Sequence, residues 1–125
     1  MPLRWRFCSP AVTERNEPKS KQVNKLSSAG SQSTTIKTTA DKLFLLSEVE
    51  IFGSTSYSVS GEGTQYAYYK AGNSKVKNVS GSAYYWWERS PYASNSAAFC
   101  FVGSSGSADY ISASNSFGVA FGFCV

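Results

Sequence analysis

Few residues in this chain have the types and spacing for covalent chemistry. Histidine is absent, which removes the commonest general base and the commonest metal ligand. The cysteines are Cys8, Cys100 and Cys124. They form no CxxC pair, so their spacing supports no structural zinc site, and an odd number makes no complete disulfide framework. Cys100 and Cys124 both lie in apolar, strand-like runs, which predicts buried thiols, with a bridge between them as the lesser alternative. A thiol on an apolar strand is ordinarily inert. Glu88 beside Arg89, in the run WWERSPY (Trp86–Tyr92), reads as a buried pair pinning a strand. Trp86 and Trp87 read as core, with a sugar-stacking platform as the alternative. Gly61-Glu62-Gly63 opens no convincing helix and matches no phosphate cradle. The chain is therefore expected to be non-enzymatic, with no catalytic residue, no metal ligand and no cofactor.

The elements that would position a binding site can be read from the rest of the chain. With 125 residues and a hydrophobic share of 42%, it has room for one core and one domain. The net charge is +4, and eight of the twelve Lys and Arg lie at or before Lys42. These scattered charges read as a solvated arm. The alternative is a nucleic-acid contact, but no aromatic stacking platform accompanies them, so no nucleic-acid partner is expected. The opening MPLRWRFCSP has no long apolar run, so neither a secretory signal nor a membrane span is expected.

Residues 1–33 are polar and turn-rich and read as a basic arm or an incomplete element that packs poorly. Residues 34–125 read as the domain. Thr34–Thr38 and Lys42–Leu46 have strand character, the second buried. Ser47 and Glu50 have capping-box spacing, so SEVEIF predicts one helical turn. Gly53–Gly63 is a loop. Gln65–Lys70 reads as a short helix, with a strand as the alternative, and a polar loop follows. Ala98–Val102, Ala108–Ser112 and Val119–Cys124 are strand-like runs separated by Gly/Ser/Asn turns. The pattern predicts an α+β domain with a small antiparallel C-terminal sheet and few short helices. Trp86, Trp87, Phe99, Phe121 and Phe123 are expected to be mostly buried.

Residues 92–117 stand apart. Lys, Glu, Gln, Met and Trp are all missing from them. Each of those five needs a purine in the third codon position, while every residue present can be encoded with a pyrimidine there. This is the footprint expected of adenine-directed mutagenesis acting on Asn codons, and an ordinary Ser/Ala-rich region stands as the alternative. Physically, Tyr, Ser, Gly and Asn suit a binding surface: Tyr supplies rigid contact area, and the small residues supply adaptable hydrogen bonds.

The ordered motifs DKLFLLSEVEIFG (Asp41–Gly53), QYAYYK (Gln65–Lys70), WWERSPY, FCFV (Phe99–Val102) and GVAFGFCV (Gly118–Val125) resemble a domain of unknown function from gut bacteria and their prophages that carries a WWLRSP-type motif. Some members look like the variable proteins of diversity-generating retroelements, which are similar to C-type-lectin and formylglycine-generating-enzyme folds. Glu88 stands where that motif usually has Leu, and Gly-Val-Ala-Phe-Gly-Phe stands where many relatives have Gly-Val-Arg-Pro-Ala-Phe. The resemblance implies a C-type-lectin-like domain with a shortened N-terminal half. It also implies a hypervariable, receptor- or surface-recognising function on a phage particle or bacterial surface, with a protein or glycan on a cell surface as ligand. A structural or decoration domain of a phage particle is the alternative. The implied variable, ligand-binding set is Tyr92, Ala93, Ser94, Asn95, Ala97, Ala98, Phe101, Gly103, Ser104, Ser105, Ser107, Asp109, Tyr110, Ile111, Ser112, Ser114, Asn115 and Phe117. The implied scaffold is Ser96, Phe99, Cys100, Val102, Gly106, Ala108, Ala113, Ser116 and Gly118. The variable set is expected to form one contiguous exposed patch, with Tyr92, Asn95, Phe101, Tyr110, Ile111, Asn115 and Phe117 as its larger members.

Overall fold

A capping box starts the first helix where the sequence places it. Ser47 Oγ accepts from Glu50 N (3.2 Å), and Ser47 N donates to Glu50 Oε2 (3.0 Å). Two orphan donors are satisfied reciprocally, so even the short helix α1 (Glu48–Phe52) has a defined start. Gly53, at φ 77°, ends it in the left-handed conformation that glycine adopts without a Cβ penalty. The QYAYYK run does form a helix, α2 (Ala67–Lys70), with Tyr69 on its buried side. Tyr66 N donates to Glu50 O (3.0 Å), tying α2 to α1.

The computed structural model describes residues 19–26, 32–41 and 43–123. Among them the remaining elements are strands: β1 (Lys19–Leu26), β2 (Gln32–Asp41), β3 (Leu43–Leu45), β4 (Lys77–Val79), β5 (Ser82–Tyr84), β6 (Trp86–Pro91), β7 (Ala98–Val102), β8 (Ala108–Ser112) and β9 (Phe121–Phe123). They make small antiparallel sheets: the pairs β1–β2, β3–β9 and β4–β5, and the three-stranded sheet β6–β7–β8. The architecture is α+β with few short helices, as the sequence pattern predicts. The segment Lys19–Leu26, within the stretch read as an arm, is a strand on β2. The expected poor packing of residues 1–18, and the burial of Cys124 or its bridge to Cys100, fall outside the described residues. Cys100 itself is a buried free thiol.

The core gathers Phe44, Leu46, Ile51, Tyr69, Trp86 and Val102, with Phe52, Tyr66, Tyr68 and Ala120 packed against them. Trp86 is buried and donates its indole N–H to Lys75 O (3.0 Å). Trp87 and Phe99 are half-buried. Phe121 and Phe123, expected in the core, are 58% and 41% exposed. Strand parity is the reason: β3 and β9 pair Phe44 with Gly122, so the inward position of β9 is the glycine. A Cβ at Gly122 would overlap the Phe44 ring. The two phenylalanines therefore point outward beside Leu43.

Candidate functional site

The WWERSP motif works as an anchor. Its Arg89 donates through Nη1 to Glu50 Oε2 (2.6 Å) and Leu45 O (2.9 Å), and through Nη2 to Glu50 Oε1 (3.2 Å) and Glu62 O (2.7 Å). The expected partner, Glu88, is not the one it takes. Successive residues of a strand point to opposite faces, so Arg89 and its neighbour diverge, and the guanidinium forks onto α1 instead. Ser90 Oγ accepts from Glu48 N (3.0 Å) and donates to Glu62 Oε2 (2.5 Å). Arg89 and Ser90 thus fasten α1 and the loop through Glu62 to the three-stranded sheet.

Glu48 carries this anchoring outward to a surface loop. Its buried carboxylate accepts from Ser56 N (2.9 Å), Tyr57 N (3.1 Å), Ser58 N (2.8 Å) and Ser58 Oγ (2.6 Å). Four donors from three successive residues converge on this one carboxylate. The loop they belong to is thereby fixed, with Tyr57 at its centre.

Tyr57 lies against two residues of the expected variable set. The Tyr92 and Tyr110 rings stack at 3.7 Å and 9°, and Tyr57 lies 5.1 Å from Tyr110 and 6.3 Å from Tyr92. Tyr110 is 40% exposed, and a hydrogen bond with Tyr92 is the main cause raising its hydroxyl pKa. Ala93 N donates to Tyr57 O (2.8 Å) and Ala113 N to Ala97 O (2.9 Å). These bonds bring Tyr57, the turn Tyr92–Ala97 and the turn Ser112–Asn115 to one end of the sheet. Ser94, Asn95, Ala97, Ser112, Ser114 and Asn115 are exposed there, and Ala93 is half-buried.

The rest of the variable set divides. Ala98, Phe101 and Gly103 are buried. Phe101 packs in an aromatic group with Trp87 (6.3 Å), Tyr85 (5.7 Å) and Phe117 (4.9 Å), and Phe117 stacks on Trp87 at 4.8 Å. The β6–β7 register sets Trp87 opposite Phe101, so Phe101 and Phe117 serve the sheet face across from Trp86. Asp109 and Ile111 share that parity, while Tyr110 and Ser112 have the other. Gly103, Ser104, Ser105 and Ser107 lie in the β7–β8 hairpin turn, about 20 Å along the strand from Ala97. The single contiguous patch is thus corrected to a tyrosine end in which Tyr110 is exposed and Tyr57 and Tyr92 are half-buried, a distant turn, and an aromatic group in which Phe101 is buried, Trp87 and Phe117 half-buried and Tyr85 exposed. Of the scaffold set, Cys100 and Val102 are buried, whereas Ala113 and Ser116 are exposed.

Two variable positions also have backbone work. Tyr110 N donates to Asp109 Oδ1 (2.8 Å), and Asn115 N and Nδ2 donate to Ser112 O (3.2 and 3.0 Å). β8 is an edge strand, and such caps blunt an edge against further pairing.

Behind this surface sits Glu88. It is 1% exposed, and neither carboxylate oxygen has a hydrogen-bond partner among the described residues. Burial pushes its pKa well up, and the nearby Glu48 and Glu62 push it further. Burial likewise raises the Cys100 thiol, with Glu88 adding to the effect. That is the opposite of what a nucleophilic thiolate needs. Among the described residues no group of His, Cys, Asp and Glu is arranged to hold a metal ion. The sequence reading missed Tyr57 and Glu48. Tyr57 lies in a Gly/Ser loop with no periodicity, and Glu48 was visible only as part of a helical turn.

Anchored helices, small antiparallel sheets and a tyrosine cluster with Tyr110 exposed define a small α+β domain. The chain belongs to the DUF6273 family, a domain of unknown function whose model matches residues 11–125. No curated protein and no solved structure matches the chain. No helix among the described residues is long and apolar enough to cross a membrane.

Proposed function

We propose that this domain is a non-catalytic ligand-binding module that recognises a protein or glycan on a cell surface through the tyrosine end of its three-stranded sheet. The observation that carries the reading is the mutual contact of Tyr57, Tyr92 and Tyr110 at the surface, bordered by exposed Ser94, Asn95, Ser112 and Asn115. Tyrosine offers a large, rigid, amphipathic contact at small entropic cost, and the flanking small residues offer hydrogen bonds. The surface is held from beneath by Glu48, so it is organised before any ligand arrives, which lowers the cost of binding.

The composition of residues 92–117 supports diversification of this surface by a retroelement, on a phage particle or a bacterial surface. The finer fold reading, C-type-lectin-like, belongs to the same proposal and rests on the resemblance of the motifs. The burial of Ala98, Phe101 and Gly103 inside the same segment favours the second reading, a structural domain of a phage particle.

The test is direct. The labelled domain is applied to a glycan array and to a panel of intact gut-bacterial cells, beside a variant carrying Tyr57→Ser, Tyr92→Ser and Tyr110→Ser. Loss of binding by tenfold or more, with a retained melting transition, is the expected result. No binding by the parent, or equal binding by the variant, supports the structural reading. Sequencing the coding locus across related strains adds a second check: substitutions should concentrate in codons 92–117 at template adenines.

A further inference from the structure

We propose that Glu88 is a pH-responsive latch: as a neutral acid it lets α1 and the Ser56–Ser58 loop close on the sheet, and on losing its proton it releases that loop and Tyr57 with it.

The geometry is a convergence of carboxyl groups in which, among the described side chains, the cation nearest in sequence, Arg89, is bound to Glu50. Glu88 lies on β6, where the alternating burial from Trp86 to Ser90 sets Glu88 and Ser90 inward. Ser90 Oγ touches both Glu48 N and Glu62 Oε2, so the acids of α1 and of the loop are fastened next to Glu88. From β7, the buried Cys100 lies close enough for Glu88 to act on its thiol. The acid of α1 nearest the sheet anchor besides Glu48 is Glu50, and it is paired with Arg89. Arg89, the cation of β6 itself, is committed to Glu50, Leu45 O and Glu62 O. β3 brings Leu43, Phe44 and Leu45, none of which titrates. β1 also runs against β6 and carries Lys19, Lys21 and Lys25 in its sequence. Both oxygens of Glu88 remain unpartnered within this set.

A buried carboxylate without a partner is among the costliest groups a protein can hold, so the closed form keeps the proton. When the proton leaves, the charge needs water. Of the elements set against β6, which include β1 and β3, the latch assigns the parting to α1 and the loop containing Glu62, because Ser90 fastens these two beside Glu88. Glu48 belongs to α1, and its carboxylate is what holds Ser56, Tyr57 and Ser58. Opening at Glu88 therefore frees the loop bearing Tyr57. The sign follows from linkage. Burial raises the closed-state pKa of Glu88, so the closed form loses no stability to this group below about pH 4.3, the open-state value. Above that, the opening constant rises about tenfold per pH unit until the closed-state value is reached.

The consequence for binding rests on the tyrosine surface being the recognition site, but the latch is tested without any ligand. Amide exchange of Ser56, Tyr57 and Ser58 is followed by NMR from pH 5 to pH 8 and corrected for intrinsic base catalysis. Thermal melts are recorded over the same range. In the parent protein, corrected exchange should rise by up to tenfold per unit and the melting temperature should fall. In Glu88→Gln, which keeps the shape of the neutral acid, and in Glu88→Leu, both profiles should be flat. The triple tyrosine variant should keep the parent's pH dependence, so failure of the binding reading and failure of the latch are distinguishable. Parallel profiles in the parent and both Glu88 variants, or a parent that tightens as pH rises, overturn the proposal.

Discussion

Replacing Arg89 with Met removes the cation but keeps an aliphatic stem in place. The Arg89 side chain is 9% exposed and its partner Glu50 5%, so the ion pair is largely desolvated. Removing one member leaves the Glu50 carboxylate buried and uncompensated, and the carbonyls of Leu45 and Glu62 lose a donor. Breaking a buried pair in this way costs about 3–5 kcal/mol. For a domain of this size that corresponds to a fall in melting temperature of roughly 10–20 °C. Arg89→Lys keeps the charge but not the fork that bridges both Glu50 oxygens and both carbonyls, so it should recover only part of the loss. The assay is urea denaturation and thermal melting of Arg89→Met, Glu50→Gln and the double variant. The double variant should be more stable than the sum of the singles requires, by about 1 kcal/mol or more, because Glu50→Gln removes the stranded charge. A loss under about 1 kcal/mol for Arg89→Met, or strict additivity, would refute the view that this pair anchors α1 to the sheet.

Gly122→Ala places a methyl group in the Phe44 ring. It should cost about 1–3 kcal/mol in urea denaturation, whereas Phe121→Ser, at an exposed position, should cost little. Phe101→Ala should lose about 3–5 kcal/mol, because Phe101 is buried in the Trp87 group. Tyr110→Ser should lose about 1 kcal/mol or less, and equal losses would contradict the division of the variable set. Burial lowers the Lys77 pKa to about 8, and its ammonium lies 5.6 Å from the centre of the Trp86 ring. Acylation of Lys77, followed by peptide mapping against pH, should have its midpoint near 8, and a midpoint above about 10 would show an ordinary exposed amine.

Local chemistry was legible wherever the local rule was complete. Ser47 and Glu50 have the spacing of a capping box, and both halves of the box form. The strands Ala98–Val102 and Ala108–Ser112 follow from strand-like runs bounded by turn residues, and their bounds agree with the sequence reading. The tyrosine content of the C-terminal third was also evident, because composition needs no fold to be read. Which side of a strand faces in was not legible. In FGF of β9 the two large residues suggest the core, yet the short pairing with β3 puts Gly122 against Phe44, and only the partner strand's parity sets that choice. Phe101 and Tyr110 look alike as large members of one variable segment. The register of β6 with β7 buries the first, and the edge position of β8 exposes the second. The partner of Arg89 was likewise a tertiary matter, since adjacency on a strand separates side chains and brings Glu50, 39 residues away, within reach. The sequence by itself determined the caps, the strand-like runs and the chemical character of the surface. The tertiary structure decided which of those residues share a face, because pairing register and close packing act between segments that no local pattern connects.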